Sequence, residues 1–220
     1  MTLHADPHGS LRNELLATAR AMGAARLNTG TAGNVSVRVA GGMLITPSGM
    51  APETCRPEDM VSVADDGTPT GRLAPSSEWR FHHDLYASRP DDAGAILHAH
   101  APFATALACQ RLEIPPFHYM IARFGGSTVR CARYATFGTQ ALSDNIVVAM
   151  EGRSACLMAN HGMLVVGRDL GKALALAIEF ETLCEQYWRT CQLGEPVLLS
   201  DAEMAEVVER FRWYGKPRQT

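Results

Sequence analysis

Val35-Ser36-Val37-Arg38-Val39-Ala40-Gly41-Gly42-Met43-Leu44-Ile45 is the stretch whose reading decides the fold. Residues 35–39 alternate apolar and polar side chains, the period of a strand with one covered face. Gly41-Gly42 makes a turn and Met43-Leu44-Ile45 returns, which is the pattern of a β-hairpin. Two strands joined that tightly must run antiparallel. Working outward, residues 61–64 form another strand ahead of the turn Asp65-Asp66-Gly67. Residues 95–100 and 155–159 read as strands, and Gly162 punctuates before a further apolar run at 163–166.

Helical periodicity fills most of the remaining chain. Residues 10–27 are alanine-rich with a 3.6-residue period, ending near Asn28 and Gly30. Residues 76–88 stop before Pro90, 102–110 carry proline in the first turn, and 139–150 and 170–191 continue the pattern. A last helix at 200–211 opens with Ser200 and Glu203 as a capping box. Strands mixed with helices, including strands at hairpin spacing, predict one α/β sheet covered by helices and largely antiparallel.

With 220 residues and no composition shift or repeat, the chain is expected to form a single domain, 1–220. A net charge of -3 and the absence of a Lys/Arg cluster exclude a nucleic-acid-binding face. Met1 to Ser10 is polar and no apolar run is long enough to span a membrane, so no membrane partner is expected. The six cysteines (Cys55, Cys109, Cys131, Cys156, Cys184, Cys191) form no C-x-x-C pair. They read as reduced, mostly buried thiols of a cytoplasmic protein.

His98-Ala99-His100 carries the chemistry. On a strand, residues two apart share a face, so both imidazoles can reach one ion. Alone, the pair is equally two ordinary histidines among the eight in the chain. Glu78 and His161 extend it to three imidazoles and a carboxylate, a ligand set that zinc accepts in a four-coordinate shell. Glu78 near a helix start has its own electrostatic explanation, and a lone His161 after an apolar strand fits a core position as well. Three small-residue segments suit an anion: Thr31-Ala32-Gly33-Asn34, Thr46-Pro47-Ser48-Gly49 and Pro75-Ser76-Ser77-Glu78. Each alone is a turn or a cap, and together they point to a phosphate pocket. No P-loop or G-x-G-x-x-G sequence is present.

T-A-G-N-V-S-V-R-V, T-P-S-G, P-S-S-E-W-R-F-H, His98-x-His100 and N-H-G occur in that order. With His118-Tyr119-Met120-Ile121-Ala122, Tyr134-Ala135-Thr136-Phe137-Gly138-Thr139 and the tail Phe211-Arg212-Trp213-Tyr214-Gly215, they resemble the class II aldolase/adducin family over nearly the whole chain. The nearest likeness is to its bacterial L-fuculose-1-phosphate aldolase branch.

That resemblance implies a three-layer α/β sandwich around a central, largely antiparallel sheet. It implies zinc held by His98, His100 and His161, with Glu78 as fourth ligand and as the base at the ketone carbon. Gly33, Asn34, Ser48, Gly49, Ser76 and Ser77 would hold the substrate phosphate. A homotetramer with sites between subunits would bring Tyr119 and Tyr214 to a neighbour's zinc, Tyr119 as proton donor to the alkoxide. The implied reaction is reversible cleavage of a ketose 1-phosphate, such as L-fuculose 1-phosphate, into dihydroxyacetone phosphate and a short aldehyde. 5-Deoxyribulose or 5-methylthioribulose 1-phosphate would use the same phosphate and metal residues. A pentulose-5-phosphate 4-epimerase, a sugar-acid phosphate decarboxylase and a non-catalytic adducin-like module rank below these. Arg123-Phe124 stand where the branch has small residues, and the choice of aldehyde is expected to lie around them and the tail.

Overall fold

The computed structural model describes residues 8–213, so Tyr214 lies outside the described residues. Its elements run α1 (Gly9–Ala24), β1 (Asn34–Val39), β2 (Gly42–Ile45), β3 (Val61–Ala64), β4 (Pro69–Thr70), α2 (Trp79–Ser88) and β5 (Ala95–Ala99). There follow α3 (Pro102–Ala108), β6 (Cys131–Ala132), α4 (Gln140–Ala149), β7 (Ala155–Met158), β8 (Gly162–Gly167), α5 (Leu170–Leu193) and α6 (Asp201–Trp213). Two 3₁₀ turns, Pro57–Asp59 and Tyr119–Phe124, complete the set.

The strands form one eight-stranded sheet in the order β4-β3-β2-β1-β5-β8-β7-β6. Every neighbouring pair is antiparallel except β6 with β7. The hairpin at 35–45 is present as expected, with Ser36 opposite Ile45 and Val39 opposite Gly42. β1 then pairs with β5, placing Asn34 opposite His98, and β5 pairs with β8, placing His98 opposite Leu164.

Strand alternation sorts β5 between two cores. Ala95, Leu97 and Ala99 face a cluster shared with Leu15 of α1, Ala104 of α3 and Phe180 of α5. Ile96 faces the opposite cluster with Phe81 and Leu85 of α2 and Ile146 of α4. The result is a three-layer sandwich, helices on both faces of a mostly antiparallel sheet.

The helix expected at 76–88 begins three residues later, at Trp79. Ser76 is held in a short ladder instead, with Ser76 N–H donating to Thr46 O at 3.0 Å and Ser48 N–H to Ala74 O at 3.0 Å, and a turn at 77–78 then leads into the helix. The strand expected at 95–100 ends at Ala99, because His100 N–H turns away to the Asn28 side-chain oxygen at 3.0 Å. Three of the six cysteines are buried rather than most; Cys109 and Cys191 are exposed and Cys131 is half-buried. Among the described residues, no helix is long and apolar enough to cross a membrane.

Candidate metal centre and anion pocket

β5 delivers His98 into the α2 side of the sheet, where it is fully buried and packs edge-on against Phe81 at 5.6 Å. Its Nδ1 lies 2.9 Å from Met163 O. A carbonyl only accepts, so the neutral ring carries its proton on Nδ1 and presents a bare Nε2 lone pair. That Nε2 sits 3.0 Å from Nε2 of His100 and 3.2 Å from one oxygen of Glu78. The other Glu78 oxygen is 3.1 Å from Nε2 of His161. One donor atom from each of the four residues lies within 4.8 Å of the others.

These separations fit a divalent cation better than a hydrogen-bond network. A tetrahedral shell with bonds near 2.0 Å spaces its donors about 3.3 Å apart. Without a cation the Nε2 atoms of His98 and His100 and the Glu78 oxygen need an added proton to join them, whereas one cation satisfies all of them at once. Oε1 of Glu78 is buried and makes no aligned hydrogen bond, although His161 is close enough for an ion pair. A buried polar atom left in that state costs free energy unless a ligand satisfies it.

Charge around the centre agrees. Burial opposes ionisation of Glu78, but the positive charge available on His98 and the hydrogen-bonding reach of His161 outweigh it and hold the carboxyl well below its usual range. Burial, together with the charges of His98 and His161, pushes His100 down to about 4. A neutral imidazole is the form that binds a metal.

Two glycines make the close packing possible. A Cβ on Gly162 would lie 2.4 Å from Ala99 O and 3.1 Å from the His100 ring, so only glycine lets His161 approach the pair. Gly33 has φ +72, and a Cβ there would run into the Asn28 side chain that holds His100 N–H.

The three anion-suited segments meet beside this centre. A cavity of about 350 Å³ is lined by Gly33, Asn34, Ser48, Gly49, Ser76 and Ser77, and by Glu78, His100 and His161. The ladder between residues 46–48 and 74–76 brings the second and third segments side by side, which no local sequence signal reports. The Asn34 side chain donates to Glu78 Oε2 at 3.1 Å, linking the first of these segments to the carboxylate. A larger cavity of about 540 Å³ shares the 31–34 loop but reaches neither Glu78 nor the histidines, so the smaller one is the cavity that adjoins the cluster.

Other residues fall elsewhere. Tyr119 is half exposed on its 3₁₀ turn, stacks on Phe211 at 6.4 Å and does not line its own chain's cavity. Of the Arg123-Phe124 pair, Phe124 is fully buried against Phe180, and Arg123 is ion-paired with Glu179 at 2.8 Å. Neither lines the cavity of its own chain. Its open wall is made by Tyr134 and Phe137, both more than half exposed, with Ala135 and Asn160. Sequence reasoning gave Asn28 no role for lack of any spacing signal, and Asn160 stood in the N-H-G motif without one. Tyr134 and Phe137 lay inside a quoted motif without a role.

A buried carboxylate and three imidazoles beside an anion cavity, mounted on a three-layer sandwich, define a protein that binds a divalent metal and a phosphorylated small molecule. The family described as Class II Aldolase and Adducin N-terminal domain matches residues 13–188. A 5-methylthioribulose-1-phosphate/5-deoxyribulose-1-phosphate aldolase of Rhodospirillum rubrum is 52% identical over 210 residues, covering 96% of this chain and 95% of the relative. The L-fuculose phosphate aldolase of Escherichia coli (strain K12) is 45% identical, covering 93% and 95%. A solved L-fuculose 1-phosphate aldolase superposes with a TM-score of 0.89 at 40% identity, covering 94% of this chain and 98% of that one. The chain belongs to the class II aldolase/adducin family and is a class II aldolase, a carbon–carbon lyase of the divalent-metal-dependent kind.

Proposed function

We propose that this chain reversibly cleaves a ketose 1-phosphate into dihydroxyacetone phosphate and a short aldehyde, with zinc as its metal. The observation that carries the reading is the shared wall between the anion loops and the Glu78/His98/His100/His161 cluster. A phosphate seated on the loops puts the ketone end of a three-carbon unit beside the cluster. Bound zinc supplies Lewis acidity toward the ketone and hydroxyl oxygens of that unit.

The protein's own groups handle the protons. Gly33, Asn34, Ser48, Gly49, Ser76 and Ser77 hold the phosphate through main-chain N–H groups and hydroxyls. Glu78 exchanges one proton with the carbon next to the ketone: it removes it for condensation and returns it after cleavage. Tyr119 of a second copy takes the proton of the hydroxyl at the breaking bond and gives it back for condensation. That role requires a homotetramer with sites between subunits, and a Tyr119 that is half exposed and away from its own cavity is consistent with it. Tyr214 is the second residue of this kind. Among the described residues the lysine is Lys172, which sits on α5 away from the cavity and offers no Schiff-base route there.

Among substrates, the 52% identical relative favours a 5-deoxy or 5-methylthio ribulose 1-phosphate. L-Fuculose 1-phosphate is the second reading, favoured by the 45% identical relatives. The test is release of dihydroxyacetone phosphate from each of the three, with and without chelator, compared as kcat/KM. Chelator-sensitive release from at least one is expected. No release from any, alongside 4-epimerisation of a pentulose 5-phosphate, would overturn the aldolase reaction. Tyr119→Phe is expected to keep its zinc and lose turnover by about 10²- to 10⁴-fold. Full activity in that variant removes Tyr119 from the mechanism.

A further inference from the structure

Behind Glu78 the α2 side of the sheet buries a second set of polar groups. Asn34 and Ser36 lie two apart on β1 and share its α2-facing side, while His82 and Tyr86 lie four apart on α2 and face them. Ser36 and His82 are fully buried, and Asn34, Glu78 and Tyr86 are no more than 7% exposed. Ser36 Oγ is 2.9 Å from the Tyr86 hydroxyl and 2.7 Å from His82 Nδ1. His82 Nε2 is 2.5 Å from Asn34 Oδ1, and Asn34 Nδ2 donates to Glu78 Oε2 at 3.1 Å.

The proton positions follow from which atoms can only accept. Glu78 as carboxylate needs a donor, so Asn34 turns its NH₂ toward it and its oxygen away. That oxygen needs a donor in turn, which puts the His82 proton on Nε2. Nδ1 of His82 is then bare and accepts from the Ser36 hydroxyl, whose oxygen accepts from Tyr86. All the donors point one way, from Tyr86 to Glu78. Phe81 stacks on the His82 ring at 4.7 Å, and Arg38 caps the Tyr86 ring at 4.7 Å while donating to its backbone carbonyl at 2.7 Å.

We propose that His82 is a positioning residue for the metal centre: it fixes the Asn34 amide, which pins Glu78 Oε2 and leaves Oε1 facing the cation. The inference rests on the reading of Glu78 as a metal ligand. It extends the site to residues that touch neither metal nor substrate. His82 has little freedom to do otherwise, because burial and the charge of His98 push it down to about 3, so it stays neutral through the working pH range.

Three measurements on the full chain test this. Nitrogen NMR of the zinc-loaded protein is expected to show His82 as the Nε2–H tautomer; the Nδ1–H tautomer overturns the proposal. Zinc affinity against a competing chelator is expected to fall at least about 10-fold in His82→Leu, which lacks the donor. It is expected to return to within about threefold of the parent in His82→Gln, whose amide N–H reaches the same place. A folded His82→Leu protein with parental affinity, or an equal loss in both variants, overturns it, the latter because packing alone then accounts for the effect. Should His82→Leu not fold, Ser36→Ala replaces it. Removal of the hydroxyl is expected to let the His82 tautomer mix, and an unmixed tautomer with unchanged zinc affinity counts against the relay. None of these readouts uses turnover, so failure of the aldolase reaction and failure of the relay are separate results.

Discussion

Under α1, α3 and α5 the sheet buries Val35, Val37, Leu97 and Val165 against Leu15, Ala104 and Phe180. Under α2 the same strands bury Asn34, Ser36 and His98 against Glu78, His82 and Tyr86. Both faces exclude water, but they depend on different physics. The apolar face is held by transfer free energy and packing, which any well-fitting hydrocarbon supplies. The polar face is stable because each donor meets an acceptor, and one missing partner leaves a buried group unpaired. The α2 side also buries an apolar cluster around Phe81, Leu85, Ile96 and Ile146, so both faces contribute to stability while the chemistry sits on one, and β5 contributes to each.

The sharpest way to break the polar side is His98→Ala. It is expected to abolish zinc retention by elemental analysis and to reduce kcat/KM by more than about 10³-fold. Undiminished zinc would remove His98 from the ligand set. On the other side, Phe180→Ala is expected to cost about 3–5 kcal/mol of stability in denaturant unfolding. Zinc affinity of the folded fraction should stay at the parental value; a joint loss would mean that the two faces are not separable.

The smallest effect comes from pH. His82 is neutral when folded down to about 3, whereas an unfolded histidine protonates near 6.5. Between those values the unfolded chain binds a proton that the folded chain does not, so stability falls as pH falls. The slope attributable to His82 is about 1.4 kcal/mol per pH unit. In metal-free protein, His82→Gln is expected to show a shallower loss from pH 6.5 to 4.5 than the parent. Parallel curves would mean that His82 is not held neutral.

Much of the sandwich was legible because its cues are local. Residues 61–64 match β3, and the hairpin and long helices match within a few residues. β4 and β6 are two residues each and the 119–124 turn is 3₁₀, all too short to carry a period. The site was legible as a list of residue types but not as a shape. His98 and His161 are brought together by the β5–β8 pairing, and Ser48 and Ser76 by a ladder between two segments that look like separate turns. The burial of Phe124 was equally hidden: the sequence shows a bulky residue where the branch has small ones, but not that its ring packs inward against Phe180. The polar relay was invisible because His82 and Tyr86 occupy helix positions that a hydrophobic pattern leaves blank.

Gly162 holds a last consequence. With no side chain, it sets the distance between the strand carrying His98 and the loop carrying His161, and so acts as the shim of the ligand cage. Thickening that shim by one methyl in Gly162→Ala spreads the donors rather than deleting any. The expected result is a shift in ionic preference, measured by competition, from Zn²⁺ toward the larger Cd²⁺. Which element the enzyme uses is then governed partly by an atom that the chain leaves out.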